Sequence, residues 1–352
     1  MEKRSPSIDV KPMKNYKSNF EAHCKEHRQR ISTGVLALDK ILNGGLANEL
    51  YIMGAETSTG KSAFMMSIAQ NIAESGIDVL YFALEMGREE FVIRGMSAIS
   101  FEHHRNNEIE QQMTTSDILY WTYDETAQKF SKTPYSVYER YADEYFQRFG
   151  EHLYIIEGGT LGLAVKEIAE IAISHKKQDH DRLVVVFIDY LQIIKADPTD
   201  RAQSDRKTKT DVAVTTLKTL AAQVGMPVVV ISSIGRSNYN GRISTSSFKE
   251  SGDTEYTGGV LLGWNWSGVT DQDNKLLRES EKKACKERGF RQMTLDILKY
   301  RNSERDNSVH LKYYPAYNFF EEDDGSWSVK NESQVPLSEG KKTYDFTKKK
   351  LS

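Results

Sequence analysis

Short apolar runs set the frame of this chain. "LYIM" (Leu50 to Met53), "VLYFAL" (Val79 to Leu84), "LYII" (Leu153 to Ile156), "LVVVFI" (Leu183 to Ile188) and "PVVVIS" (Pro227 to Ser232) lack strict polar alternation. That predicts strands covered on both faces. Helical spacing of apolar positions intervenes at Lys61 to Glu74, Ala164 to His175 and Asp211 to Val224. Strands and helices in this order are solved by a mostly parallel central sheet flanked by helices, so the predicted class is α/β. Ahead of it, "TGVLALDKILNGGL" places Val35, Leu36, Leu38, Ile41 and Leu42 on a short helix stopped at Gly44 and Gly45. Beyond Gly258, "VLLGW", "MTLDILKYR" and "VHLKYYPAYNFF" read as later strands or hairpins, and "KLLRESEKKACKERG" as a short charged helix.

The flanks differ from this frame. Residues 1–31 are polar and read as an arm or linker with a short helix over Ser18 to Arg30, while 321–352 read as a flexible tail. The segment 89–150 is helical, aromatic and charged, and is expected to form an added layer. Of 352 residues, 39% are hydrophobic, enough for one sizeable core. Charge is nearly balanced, 47 Lys and Arg against 50 Asp and Glu, so only a local basic loop would address a polyanion. Cys24 and Cys285 are too few and too far apart for a disulfide framework or a paired-cysteine zinc site. The N-terminus has no apolar signal core, and no run approaches the roughly 18 apolar residues of a membrane span. A cytoplasmic protein with no membrane partner is expected.

Candidate chemistry begins where "LYIM" runs into "GAETSTGKS". A strand, a small-residue turn and a helix N-terminus together cradle a phosphate with backbone N–H groups. Lys61 supplies a mobile counter-charge for the terminal phosphates and Ser62 a hydroxyl for magnesium. The spacing puts Ala55 where the phosphate-loop pattern asks for glycine; a surface turn capped by Ser58 or Thr59 is the competing reading. Asp189 closes the apolar run "VVVFI" and reads as the second magnesium-side group, against an ordinary strand-end aspartate. Glu85 follows "VLYFAL", emerges at the same sheet edge and is the candidate base for the attacking water, against a carboxylate stabilising the next helix. His103 and His104 read as a solvated helix end rather than a zinc site.

"TGVLALDKILNGGL", "GAETSTGKSAFMMSIAQNIA", "YFALEMGREEFVIR", "VVVFIDYLQII", "LKTLAAQVGMPVVVISSIGR", "FKESGDTEY" and "ILKYRN" occur in that order. In this the chain resembles the C-terminal RecA-like ATPase domain of DnaB-type replicative hexameric helicases, over about 32–320. The resemblance implies a phosphate loop of Ala55, Glu56, Thr57, Ser58, Thr59, Gly60, Lys61 and Ser62, in which alanine is customary at the first position. It implies Glu85 as catalytic glutamate, Asp189 with Ser62 at the magnesium, and ATP and Mg2+ as cofactors. It also implies that Lys299 and Arg301, with Asn302, form a basic finger reaching a neighbour's site in a ring, expected to be a hexamer. Two residues apart on a strand, Lys299 and Arg301 share a face and can approach one oligophosphate.

Four departures qualify the likeness. Ser233 stands where the family has a glutamine that couples the γ-phosphate to the DNA loops, although Arg236 of "SSIGR" is kept. Gly258 and Gly259 replace an Ala-Asp pair, and Ser303 a glycine. Only a short arm precedes the ATPase region here, so replication partners are expected on a surface other than the family's N-terminal domain. Two candidate channel loops carry Arg201, Arg206 and Lys207, then Arg236, Tyr239 and Arg242. Basic groups track phosphates and a tyrosine stacks on any base, which suits single-stranded DNA; flexible surface loops are the alternative. The expected function is an ATP-dependent DNA helicase or single-strand translocase. The alternatives are a recombination, loading or regulatory ATPase, and a non-catalytic nucleotide-binding module.

Overall fold

Apolar runs become strands here because helices cover both of their faces. The computed structural model describes residues 12–17, 20–21, 30–106, 112–123, 135–158, 162–179, 181–196, 206–235, 241–251, 259–267, 283–300 and 307–323. Its strands are β1 (Leu50–Ala55), β2 (Asp78–Ala83), β3 (Leu153–Glu157), β4 (Val184–Asp189), β5 (Val228–Ser233), β6 (Val260–Trp266), β7 (Arg291–Lys299), β8 (Ser308–Tyr314) and β9 (Phe319–Glu322). They form one sheet in the order β3-β2-β4-β5-β1-β6-β7-β8-β9. Pairings from β3 across to β6 are parallel; those from β6 to β9 are antiparallel. Every residue of β1, β2, β4 and β6 is buried, as strands inside a covered sheet must be.

Alternate residues of those strands feed two cores. Tyr51, Met53, Tyr81 and Phe187 point to the face covered by α2 (Lys61–Glu74) and α3 (Arg88–Arg105). Ile52, Phe82, Val186 and Ile188 point to the other, covered by α6 (Val165–Lys177) and α7 (Arg206–Val224). The short predicted N-terminal helix is α1 (Leu36–Ile41), stapled by its buried Asp39, which accepts from Thr33 N and Thr33 Oγ1 at 2.8 and 2.7 Å. Phe64 of α2 stacks on Trp264 of β6 at 4.7 Å, and each such ring contributes about 2–3 kcal/mol on leaving water. That contact fixes the helix after the phosphate loop to the antiparallel half of the sheet.

The helical segment does form an added layer. α3, α4 (Thr115–Tyr123) and α5 (Tyr135–Phe149) share a small core of Met96, Ile99, Met113, Ile118, Tyr141, Tyr145 and Phe149. Gly95 is required at its centre, because a Cβ there would lie 2.1 Å from Tyr145 Cε2. His103 and His104 end α3, and His103 Nε2 meets Glu144 at 2.9 Å across the layer. Glu167 of α6 caps the Ala164 N–H at 2.7 Å. The charged helix is present in part, at 283–288, whereas most of the predicted arm helix and all of 324–352 lie outside the described residues.

At the sheet edge remote from the phosphate loop, buried Asp78 opens β2. Its carboxylate meets His152 Nδ1 at 2.8 Å, His175 Nε2 at 2.7 Å and Arg182 Nη1 at 2.8 Å. These partners come from the segments entering β3, leaving α6 and entering β4, so one side chain ties the starts of three neighbouring strands.

Candidate functional site

β1 ends at Ala55 and α2 begins at Lys61, so the loop between them is as short as a phosphate cradle requires. Ser58 and Gly60 both have positive φ, +61° and +96°. At Gly60 this is more than a backbone preference: a Cβ would lie 2.6 Å from Tyr313 Cε1. α2 has no side-chain cap, and Thr59 Oγ1 donates backward to the Glu56 carbonyl at 2.8 Å. Two strands of the antiparallel half hold the loop's carbonyls, Trp264 Nε1 on Thr59 O at 3.1 Å and Arg291 Nη1 on Ser58 O at 2.9 Å. Arg291 is itself seated over the rings of Trp266 and Tyr313, 5.4 and 5.7 Å from their centroids. Glu56 and Gly60 are half-buried, Thr57 and Ser58 exposed.

β2 and β4 pair through Ala83↔Asp189, which brings Glu85, exposed just past β2, to the same edge as Asp189. Asp189 is 2% exposed. Burial raises its pKa; a hydrogen bond from Ser62 and the charge of Lys61 act against this, and the nearby Glu85 adds to it. Its Oδ1 is fully buried without a hydrogen bond of normal geometry, and the buried Tyr81 hydroxyl alongside also acts against the effect of burial on the carboxyl. Burial first, and the Asp189 charge second, push the Tyr81 phenol upward. Lys61 Nζ sits 6.0 Å from the Tyr190 ring centroid. A hydroxyl beside an unsatisfied carboxylate oxygen is a donor set for a hard divalent cation. No cluster of three or more His, Cys, Asp or Glu suited to a metal occurs among the described residues.

Thus Lys61, Ser62, Glu85 and Asp189 come together. Lys299 does not. It ends β7, opposite Leu261 at the start of β6, whereas Arg291 at the other end of β7 touches the phosphate loop. Eight steps of roughly 3.4 Å put those ends about 27 Å apart. Arg301, Asn302 and Ser303, with Arg201, Arg236 and Tyr239, lie outside the described residues or, for Arg236 and Tyr239, just beyond the described tip of β5, and Arg206 and Lys207 are described only as the backbone opening α7. Arg242 is turned onto Asp296, with bonds of 2.8 and 2.6 Å, so its fork already holds a carboxylate. Sequence reasoning missed the grip of Trp264 and Arg291 on the loop and the ties made by Gln192 described below, because hydrogen bonds across the sheet leave no local pattern. An open cleft of about 610 Å3, lined by His103, Glu139, Arg140, Glu144 and Arg148 among others, shares no residue with this site.

Residues 30–322 match the family model described as DnaB-like helicase C terminal domain. Among curated relatives, the chain is 27% identical over 294 residues to the replicative DNA helicase DnaC of Bacillus subtilis (strain 168), covering 82% of this chain and 56% of that protein. It is 26% identical, with the same coverage, to the replicative DNA helicase DnaB of Geobacillus stearothermophilus. The chain therefore spans about half the length of the curated relatives it matches. Among solved structures, one that consists of an ATPase domain superposes with a TM-score of 0.68 at 19% identity, over 90% of this chain and 100% of that one. A DnaB-like replicative helicase, solved for its interactions with primase, gives 0.66 at 19% identity, over 90% of this chain and 68% of that one. These likenesses extend to the RecA-like arrangement of the parallel sheet.

Proposed function

Since the chain belongs to the DnaB-like helicase C terminal domain family, we propose that it is an ATP-driven motor on single-stranded DNA, working as a ring in replication, with hydrolysis at the interfaces between subunits. The observation that carries this reading is the buried Asp189, whose carboxylate takes a hydrogen bond from the phosphate-loop hydroxyl of Ser62 while its Oδ1 has no partner, with Glu85 exposed beside it. Backbone N–H groups over 55–62 receive the phosphates of ATP and Lys61 pairs with the terminal ones. Ser62 and Asp189 would hold Mg2+, which would supply neutralisation of phosphate charge. Glu85 orients the attacking water and accepts its proton. Lys299 is far from its own loop, which supports giving it and Arg301 to a neighbour's site, where a basic pair stabilises the charge of phosphoryl transfer. Arg201, Arg206, Lys207, Arg236 and Tyr239 are the residues assigned to the single strand, and Arg242 is held by Asp296.

The test is magnesium-dependent phosphate release with and without a single-stranded oligonucleotide. Lys61→Ala should weaken nucleotide binding. Glu85→Gln should bind normally and lose about 100-fold or more in turnover, the scale of a removed general base. Turnover unchanged in Glu85→Gln, or a parent protein indifferent to single strands, would sink the motor reading. Ser233, too short to span from phosphate to DNA loop, favours a second reading: a loading, recombination or regulatory ATPase that hydrolyses ATP without robust unwinding. Unwinding of a forked duplex separates the two.

A further inference from the structure

β4 and β5 run side by side only from Val186↔Val228 to Ile188↔Val230. β5 continues to Ser233, paired on its other side with β1 through Ala55↔Ser233, so at its tip the edge toward β4 has lost its ladder partner. Gln192 fills that gap. It lies in the 3-10 turn Leu191–Ile193 that follows Asp189. Its Oε1 accepts from Ser233 N at 3.0 Å, and its Nε2 donates to Ser233 O at 3.1 Å and to Ser232 Oγ at 2.9 Å. A primary amide carries an acceptor and a donor on one edge, as a strand residue does with its own N–H and C=O, so the side chain adds one rung to the sheet. Both N–H groups are used. The Gln192 carbonyl in turn receives Lys209 Nζ at 3.1 Å, from the first turns of α7.

The rung joins places that the nucleotide separates. On one side is Ala55, first residue of the phosphate loop; on the other, three residues back along the chain, is Asp189. Ser233 lies between them and leads into the segment that carries Arg236 and Tyr239. We propose that Gln192 is a positioning residue that transmits the nucleotide state at Asp189 to the tip of β5, the task for which the Ser233 side chain is too short. This rests on the ATPase reading above. Gln192 does this by holding the backbone of β5, without reaching across the site with its own tip.

Two measurements test this in the full chain. Hydrogen exchange is followed over 232–235 with and without ATPγS and magnesium. In the parent, nucleotide should change exchange there; in Gln192→Ala and in Gln192→Glu the change should vanish while the segment 55–62 still responds. Gln192→Glu keeps the volume but loses both donated bonds, so it separates the rung from simple packing. The second measurement is ATP turnover with and without oligo-dT: both variants should hold basal turnover within about threefold and lose about tenfold of the stimulated rate, the scale of an ordinary coupling free energy. A parent-like exchange response in Gln192→Glu, or basal and stimulated rates falling in equal proportion, would overturn the proposal. A parent that binds ATPγS but is not stimulated by DNA sinks the motor reading; a nucleotide response at 232–235 that both variants abolish supports Gln192 even then.

Discussion

Asp78 and Asp189 occupy opposite ends of adjacent strands and are 3% and 2% exposed, yet their ionisation is displaced in opposite directions. Burial opposes charge on both. At Asp78, hydrogen bonds from His152 and His175 and the charge of Arg182 outweigh burial and hold its pKa below the usual carboxylate value; at Asp189, burial wins. A depressed folded pKa makes the ionised form a source of stability that is complete above the ordinary carboxylate range. It is lost as pH falls from that range through the folded value. Asp78→Asn should therefore flatten the acid limb of a urea-midpoint-against-pH curve and cost about 2–3 kcal/mol at neutral pH, less than a fully buried pair because Arg182 and His152 keep contact with water. An unchanged acid limb would show that the stability is held elsewhere. That Asp189 and Glu85 share one edge of the sheet was legible in the sequence, because each follows an apolar run that forms a strand of the same parallel sheet. The Asp78 tie was not legible, since its partners lie 74 to 104 positions away.

Elements were read most securely where periodicity was long. Lys61 to Glu74 was bounded from sequence at both ends, and each of the five apolar runs became a strand within one or two residues of its expected limits. Strand order was not readable, because the sheet is ordered by which helices cover it and not by sequence neighbours. Packing between elements supplies two further tests. Gly95→Ala must move Tyr145 or part α3 from α5, and overpacking of this kind costs about 1–3 kcal/mol, visible as a lowered thermal midpoint with ATP binding retained. Gly60→Ala should do the reverse. The left-handed φ and the contact with Tyr313 together distort the cradle, so nucleotide affinity should fall by about tenfold or more in equilibrium binding while the fold persists. Equal damage to stability and binding in both variants would contradict this division of labour.

For the whole molecule, the decisive experiment is subunit mixing. Arg301→Ala and Glu85→Gln proteins are each expected to be nearly inactive alone, yet a mixed ring contains interfaces with Glu85 intact on one subunit and Arg301 intact on the next. Random assembly at equal ratio makes about a quarter of such head-to-tail interfaces competent, which sets the expected recovery. Absence of recovery in verified mixed oligomers would return Arg301 to its own chain. The grip of Arg291 on Ser58 gives this arrangement a mechanical side. In the proposed ring, β7 has one end on the loop that receives its own nucleotide and the other, at Lys299, directed toward the next subunit's, and an extended strand yields far less to stretching than to bending. Each subunit thus contributes a tie rod between consecutive sites. Tension from phosphate release at one site would then reach the following cradle along a single strand of the sheet.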